Sequence, residues 1–153
     1  MKRLFIVLII GYIFSACDTN RVYEDYVSIP AEGWHKDSLL RFNVPSEDTI
    51  ANHNIYINIR NQGNYANSNI WIFLEVNSPN GEVLTDTVEF ILAEPSGKWK
   101  GSGIGDLYDN QFLYRQNVFF PESGEYGFSL QQGMRSDVLS GINDVGIRVE
   151  KQN

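Results

Sequence analysis

Apolar residues recur at every second position in run after run of this chain, and no segment keeps an amphipathic helical pattern beyond about two turns. Such runs occupy residues 38–44, 53–60, 70–76, 82–92, 112–120, 126–130 and 145–149. A period of two places alternate side chains on one face of a strand, so each run predicts a strand with a buried face. About eight strands joined by turn residues predict an all-β protein, a single antiparallel β-sandwich of Ig-like or jelly-roll style.

Two neighbouring runs carry more specific information. Residues 70–76 include Trp71 and Phe73 between apolar neighbours, so the strand is apolar on both faces over its first half, and this pattern predicts that it is central in its sheet. Asn80 and Gly81 follow, and Asn-Gly between alternating runs is typical of a tight hairpin turn because both residues accept positive φ. Residues 82–92 are therefore predicted to return as the next strand.

The first seventeen residues predict export and a lipid anchor. Lys2 and Arg3 precede an apolar run of about eleven residues, which is typical of a secretory signal peptide and too short for a spanning helix. The run ends in Phe14-Ser15-Ala16-Cys17, which resembles a bacterial lipobox although Phe14 stands where Leu is usual. Cys17 is the only cysteine, and its thiol is the nucleophile that accepts the lipid. We expect residues 1–16 to be cleaved as a lipoprotein signal peptide.

Composition and charge limit the rest of the chain. Residues 17–26 are polar and predict a lipidated cysteine with a short tether, whose second half pairs as an edge strand, and residues 27–153 predict one domain by length. The full chain has a formal charge of −7, and loss of the signal peptide makes it more acidic. This charge argues against a partner made of nucleic acid. With Cys17 acylated no disulfide forms, so the apolar core must hold the fold.

Motifs for catalysis or cofactor binding do not occur in the sequence. His35 and His53 have no partner at metal-ligand spacing and are predicted to lie on the surface at strand or turn ends. Asp106 and Asp109 carry hard oxygen ligands suited to calcium, but two carboxylates are too few to define a site. We expect no enzymatic activity, no metal and no cofactor besides the covalent lipid on Cys17.

The longest segment without periodicity is residues 94–110, which contain four glycines. Loops longer than about 12–15 residues are usually functional or disordered, and Trp99 between two lysines argues against disorder. Residues 134–139 place Met134, Val138 and Leu139 at helical spacing and predict a single helical turn.

Five short motifs follow one another along the chain. They are Gly97-Lys98-Trp99, Gly101-x-Gly103-x-Gly105-Asp106, Phe120-Pro121-x-x-Gly124-x-Tyr126, Met134-Arg135 and Leu139-x-Gly141-Ile142-x-Asp144-Val145-Gly146. Their order and spacing, together with the lipobox at Cys17, resemble the gliding-motility lipoprotein family GldH over nearly the whole chain. The resemblance implies a membrane-anchored, periplasm-facing accessory lipoprotein without established enzymatic activity, needed for gliding in bacteria with a type IX secretion system. It also implies partners among the gliding or type IX secretion proteins of the envelope, and leaves open which membrane holds the lipid.

We hypothesise that the domain acts as a scaffold with an exposed partner-binding surface. Trp, Tyr, Met and Arg are enriched at the centres of interfaces. The candidate residues are Trp99, Lys100, Asp106, Tyr108, Met134 and Arg135. In the alternative interpretation, Trp99 and Met134 only fill the end of the sandwich, because large apolar side chains are core material first.

A rival hypothesis from another class is a glycan-binding or adhesin-like lipoprotein module of the envelope. Aromatic residues make up 13% of the chain, and Trp34, Trp71 and Trp99 on a β-sandwich suit stacking against sugars. Against this hypothesis, Trp71 lies in a strongly apolar strand, and the three tryptophans form no evenly spaced row in the sequence.

Overall fold

The computed structural model describes residues 18–152, so the predicted signal peptide and Cys17 lie outside the described residues. The strands are β1 (Arg21–Ser28), β2 (Trp34–His35), β3 (Leu40–Ser46), β4 (Asn52–Gln62), β5 (Asn69–Asn77), β6 (Val83–Ile91), β7 (Leu107–Phe119), β8 (Gly124–Gln132), β9 (Val138–Leu139) and β10 (Ile142–Lys151). Residues 18–152 contain no helix, and hence none that could cross a bilayer. The all-β prediction is confirmed, although the two-residue strands β2 and β9 bring the number to ten rather than about eight.

The eight long strands form two four-stranded sheets with orders β1-β10-β4-β7 and β3-β8-β5-β6. Counted along the chain, the first long strand pairs with the eighth, the second with the seventh, the third with the sixth and the fourth with the fifth, all antiparallel. This is the pairing of one long hairpin rolled into two facing sheets, the jelly roll. Of the two styles that the sequence left open, the fold is therefore the jelly roll.

The core lies between the two sheets and follows the period of two. Ile55, Ile57 and Ile59 of β4 point inward and are buried. They belong to one continuous cluster with residues of the facing sheet such as Phe42 and Phe128. Burial of apolar surface stabilises by about 25 cal/mol per Å², so this cluster is what fixes the register of each strand.

The two ends of the sandwich carry different parts of the chain. At one end Arg21 pairs with Glu150, and Asn52 pairs with Phe119. This end, which we call the N-terminal end, therefore carries residue 18 and the connections 47–51, 78–82 and 120–123. The opposite end, which we call the loop end, carries the connections 29–39, 63–68, 92–106 and 133–141.

The polar segment before the domain is shorter than its sequence indicates. The edge strand expected in the second half of residues 17–26 is β1, which begins at Arg21 and pairs with β10. Only residues 18–20 of the described chain precede it. Asp18 is already fixed, since its carboxylate accepts a hydrogen bond from the guanidinium of Arg148 on β10.

Strand β5 is internal in its sheet, as predicted, but only one of its faces is buried. Trp71 is 39% exposed and Phe73 is 47% exposed on the outer face. The apolar outer face stays exposed because no described residues form a third layer over this sheet. An antiparallel sheet needs only one covered face.

The hairpin between β5 and β6 is confirmed, with Asn77 paired to Val83. Its turn is longer than an Asn-Gly pair, since the Ser78 N–H donates to the Glu82 carbonyl at 2.8 Å. Gly81 has a φ of +87°, but Asn80 is not among the residues with positive φ.

Residues 134–139 do not form the predicted helical turn. The buried side chain of Gln132 donates to the Ser136 carbonyl at 2.8 Å and accepts from the Met134 N–H at 2.8 Å. These two bonds hold the segment in an irregular turn that leads directly into β9. A side chain competing for backbone groups in this way is one reason why local spacing alone misjudges helices.

Candidate functional site

All six candidate partner-binding residues lie at the loop end, although they come from separate parts of the chain. Trp99, Lys100 and Asp106 belong to the connection 92–106, and Met134 and Arg135 belong to 133–141. Tyr108 was placed in the long loop by its sequence but lies on β7, which begins at Leu107 rather than at residue 112. Lys100, Asp106 and Arg135 are exposed, whereas Trp99, Tyr108 and Met134 are half-buried.

Trp99 is the middle ring of three aromatic side chains. Its ring centroid lies 6.4 Å from that of Tyr65 and 5.8 Å from that of Tyr108. Tyr65 is buried, its hydroxyl donates to the Asn69 carbonyl at 2.9 Å, and burial raises its pKa to about 12. Trp99 also packs against the core cluster. It therefore closes this end of the sandwich while keeping one exposed edge.

The connection 63–68 joins the two groups of candidate residues. The Gly63 N–H donates to the Asp106 carbonyl at 3.0 Å, which fixes the end of the glycine-rich segment. On the other side, a Cβ on Gly141 would lie 2.8 Å from the Cα of Tyr65, so the two backbones are in direct contact. The loop end is thus an ordered assembly of connections and not a set of independent loops.

Met134 lies beside the exposed aromatic residues of β5. Its sulfur accepts a hydrogen bond from the Trp71 N–H at 3.3 Å. Trp71 and Met134 line a solvent-open cavity of about 450 Å³ together with Asn67, Asn69 and Arg135. Met134 and Arg135 are therefore placed where a partner would meet both the loop end and the outer face of the second sheet.

Two groups of exposed apolar side chains were not predicted from the sequence. Ile104 is 96% exposed at the tip of the connection 92–106. The sequence indicates this exposure, because Ile104 is an isolated apolar residue between two glycines. The second group is the pair Trp71 and Phe73, of which Phe73 lines a second cavity of about 460 Å³ on the outer face of the sheet. Gly133 opposite them leaves room for the rings, since a Cβ there would lie 3.2 Å from the Phe73 ring.

Asp109, one of the two acidic residues near the glycine-rich segment, is already paired with a cation. Asp109 accepts a hydrogen bond from the Arg60 guanidinium, which balances its charge. Arg60 in turn lies 4.6 Å from the centre of the Tyr26 ring, a cation–π distance. No group of three or more His, Cys, Asp or Glu side chains in residues 18–152 is placed to hold a metal ion.

His53 is not the surface residue that was predicted. It is 2% exposed, and its ring lies 5.2 Å from the ring of Phe120. Its Nδ1 atom has no hydrogen-bond partner among the described residues. Burial lowers the pKa of the imidazole below its ordinary value of 6.5. His35, by contrast, is exposed as predicted.

The stability contributed by neutral His53 should be lost as the pH falls. Below a pH of about 6.5 the unfolded chain binds a proton that folded His53 resists, so stability declines from that pH down to the lowered pKa. Between pH 7.5 and pH 5.5 we expect the free energy of unfolding to fall less in His53→Phe than in the wild type. Urea denaturation at both pH values measures it, with His35→Phe as the matched control. If the free energy of unfolding falls as much in His53→Phe as in the wild type, the pH dependence does not come from His53.

Replacement of Trp99 separates its two interpretations. Because the ring packs on Tyr65, Tyr108 and the core, we expect Trp99→Ala to lower the free energy of unfolding by about 1–3 kcal/mol while the domain still folds. Lys100→Ala, one residue on and exposed, should change it by less than about 0.5 kcal/mol. Urea denaturation provides both values. A loss for Trp99→Ala as small as that for Lys100→Ala would mean that the ring has no structural role.

The described chain is a jelly-roll domain with its longest connections gathered at one end. Residues 21–149 match the family model of the GldH lipoprotein, and the chain therefore belongs to the GldH lipoprotein family. It is 42% identical over 98% of its length to a protein of Christiangramia forsetii described as a gliding motility lipoprotein GldH homolog, of which the match covers 96%. It is 31% identical over 100% of its length to the gliding motility lipoprotein GldH of Flavobacterium johnsoniae, of which the match covers 99%.

These matches confirm the resemblance that the motifs carried. Membership of a lipoprotein family also assigns the chain to the membrane-anchored proteins of the cell envelope.

Proposed function

We propose that this chain is a non-enzymatic accessory lipoprotein needed for bacterial gliding, acting as a periplasm-facing scaffold. Lipid on Cys17 holds the domain at a membrane. The loop end binds other proteins of the gliding or type IX secretion machinery, through Ile104, Lys100, Arg135 and the exposed edge of Trp99. The names of the two relatives support the role in gliding.

One observation carries the scaffold role. The six candidate residues come from two separate parts of the sequence, residues 99–108 and 134–135, and all of them lie at the end of the sandwich opposite to the described N-terminus. A chain that is anchored at Cys17 therefore turns this end away from its membrane. Apolar, aromatic and cationic side chains occur there together, which is the composition of interface centres.

The test is affinity purification of the anchored protein from its own cells. We expect gliding or type IX secretion proteins to be recovered with the wild type and to be lost with Cys17→Ala, which lacks the acylated thiol. Recovery of no envelope protein with the wild type would contradict the scaffold.

A matched pair of variants tests the surface itself. Ile104 at the loop end is 96% exposed and Leu113 on β7 is 49% exposed, so serine at either position should leave the fold intact. We expect Ile104→Ser to reduce recovery of the partners and Leu113→Ser to leave it unchanged. Equal recovery with both variants would remove the loop end as the binding surface.

A second candidate function is glycan binding, which one specific observation favours. Trp34 is 1% exposed and is excluded from any sugar contact, but Trp71 and Phe73 stand side by side on the outer face between two open cavities. A polysaccharide pull-down with the wild type and Trp71→Ala tests this function, and Leu113→Ala at an exposed position of β7 is the control. Binding that is lost only with Trp71→Ala would favour the glycan module over the scaffold.

A further inference from the structure

The N-terminal end of the sandwich is rimmed by exposed apolar side chains that the proposed function does not use. They are Val22, Ile50, Val83, Leu84 and Phe119. They belong to β1, to the connection between β3 and β4, to the start of β6 and to the end of β7. The rim therefore spans both sheets at this end.

The rim continues inward into an apolar cleft. Leu84 and Phe119 line an open cavity of about 330 Å³ together with Val76, Val118 and Pro121. Leu84 lies opposite Val76 on the inner face of the edge strand β6 and yet is half exposed, so the inner face is open to solvent here. Leu84, Phe119 and the cleft thus form one exposed apolar surface, and surface of this kind indicates contact with a partner or a membrane.

The short link to Cys17 decides which partner this end meets. Cys17 and Arg21 are four residues apart, so their Cα atoms are separated by at most about 14 Å even in a fully extended chain. The link is shorter in practice, since Asp18 is held by Arg148. The head-group layer on each side of a bilayer is about 5–8 Å thick. A domain that is anchored through Cys17 therefore rests its N-terminal end on the head groups.

The charges at this end favour apolar contact over electrostatic attraction. Lys151 is paired with Asp48 at 2.7 Å, and Arg21 is paired with Glu24 at 3.1 Å. The remaining charged side chains of the connections at this end are acidic, namely Glu47, Glu82 and Glu122. A surface of this kind is repelled by anionic lipids, and low salt does not strengthen its binding to a membrane.

We propose that the apolar rim of Val22, Ile50, Val83, Leu84 and Phe119 is a membrane-contact surface that inserts into the head-group region of a zwitterionic bilayer. This rests on the lipid anchor of the proposed function. The contact fixes the orientation of the domain and makes the loop end the part farthest from the bilayer. Interfacial apolar side chains of this type bind in proportion to the apolar area they bury.

The test uses Cys17 as the only thiol of the mature chain. The purified mature protein is coupled through Cys17 to maleimide-phosphatidylethanolamine in vesicles of phosphatidylcholine and phosphatidylethanolamine that contain brominated acyl chains. Ile50→Trp reports on the rim and Ile104→Trp is the matched control at the other end, each compared with the wild type to subtract the native tryptophans. Phe119→Trp is a second reporter if Ile50→Trp does not fold.

We expect the added tryptophan of Ile50→Trp to be quenched by about twofold and that of Ile104→Trp to be unaffected, both in low and in high salt. Quenching of neither residue would overturn the proposal, because the domain would then stand clear of the bilayer. Quenching of both, or quenching at position 50 that disappears in high salt, would also overturn it. Because the lipid is attached chemically, these results do not depend on whether cells acylate Cys17, which the Cys17→Ala purification tests separately.

Discussion

Replacement of Trp34 by alanine is expected to lower the free energy of unfolding by about 3–5 kcal/mol. Trp34 is one of the largest fully buried side chains of the described residues, at 1% exposure. Its indole N–H donates to the Ser38 carbonyl at 2.9 Å, and its backbone pairs with Leu139 of β9. Loss of the ring therefore leaves a cavity and an unpaired carbonyl beneath the loop end.

The size of this effect is checked by urea denaturation of Trp34→Ala and Trp34→Phe. Phenylalanine keeps most of the apolar volume but donates no hydrogen bond, so we expect it to cost about 1–3 kcal/mol. A cost below about 1 kcal/mol for the alanine variant would mean that the short sheet of β2 and β9 does not contribute to the cooperative fold.

Gly141→Ala is expected to lower the free energy of unfolding by about 2–5 kcal/mol. Gly141 has a φ of +88°, and an L-residue in this region costs about 1–2 kcal/mol. In addition, the new Cβ would lie 2.8 Å from the Cα of Tyr65. Backbone cannot yield as a flexible side chain does, so the connection 63–68 must move, which adds about 1–3 kcal/mol.

Gly97→Ala is the matched control for this experiment. Gly97 has a φ of +85° and no atom within 4 Å of the new Cβ, so the variant measures the conformational cost alone. We expect the difference between the two variants in urea denaturation to equal the cost of displacing Tyr65. The fluorescence of Trp99, whose ring lies 6.4 Å from that of Tyr65, should change in Gly141→Ala and not in Gly97→Ala. Equal destabilisation would show that the contact of the two backbones is unimportant.

The strands were predictable because they depend on a local pattern with a strong physical cause. The alternation of Ile55, Ile57 and Ile59 predicts which face of β4 is buried, and the structure confirms it. The pattern does not state what covers the opposite face. The exposure of Trp71 and Phe73 could not be predicted for this reason, since it depends on the absence of a covering layer among residues 18–152.

The candidate site was predictable in its residue types but not in its arrangement. Trp99 and Met134 stand 35 positions apart in the sequence, and only the jelly-roll pairing brings their connections to one end. The burial of His53 depends on Phe120, which reaches it from the turn after β7. Contacts between distant segments of this kind leave no trace in the periodicity of either segment. Ile104 did leave a signal, because an apolar residue between glycines has no strand to be buried in.

The pairing of β1 with β10 also sets an order of events along the chain. Among the described residues β1 has hydrogen-bonded strand pairing with β10 alone, and β10 ends at Lys151. The strand next to Cys17 is thus made first and paired last, after the C-terminal residues have been synthesised. Pairings between such distant segments form slowly. For the lipid anchor proposed on Cys17, the consequence is that β1 lacks its strand partner until β10 arrives, and the cysteine would be accessible during that interval to the enzymes that acylate it.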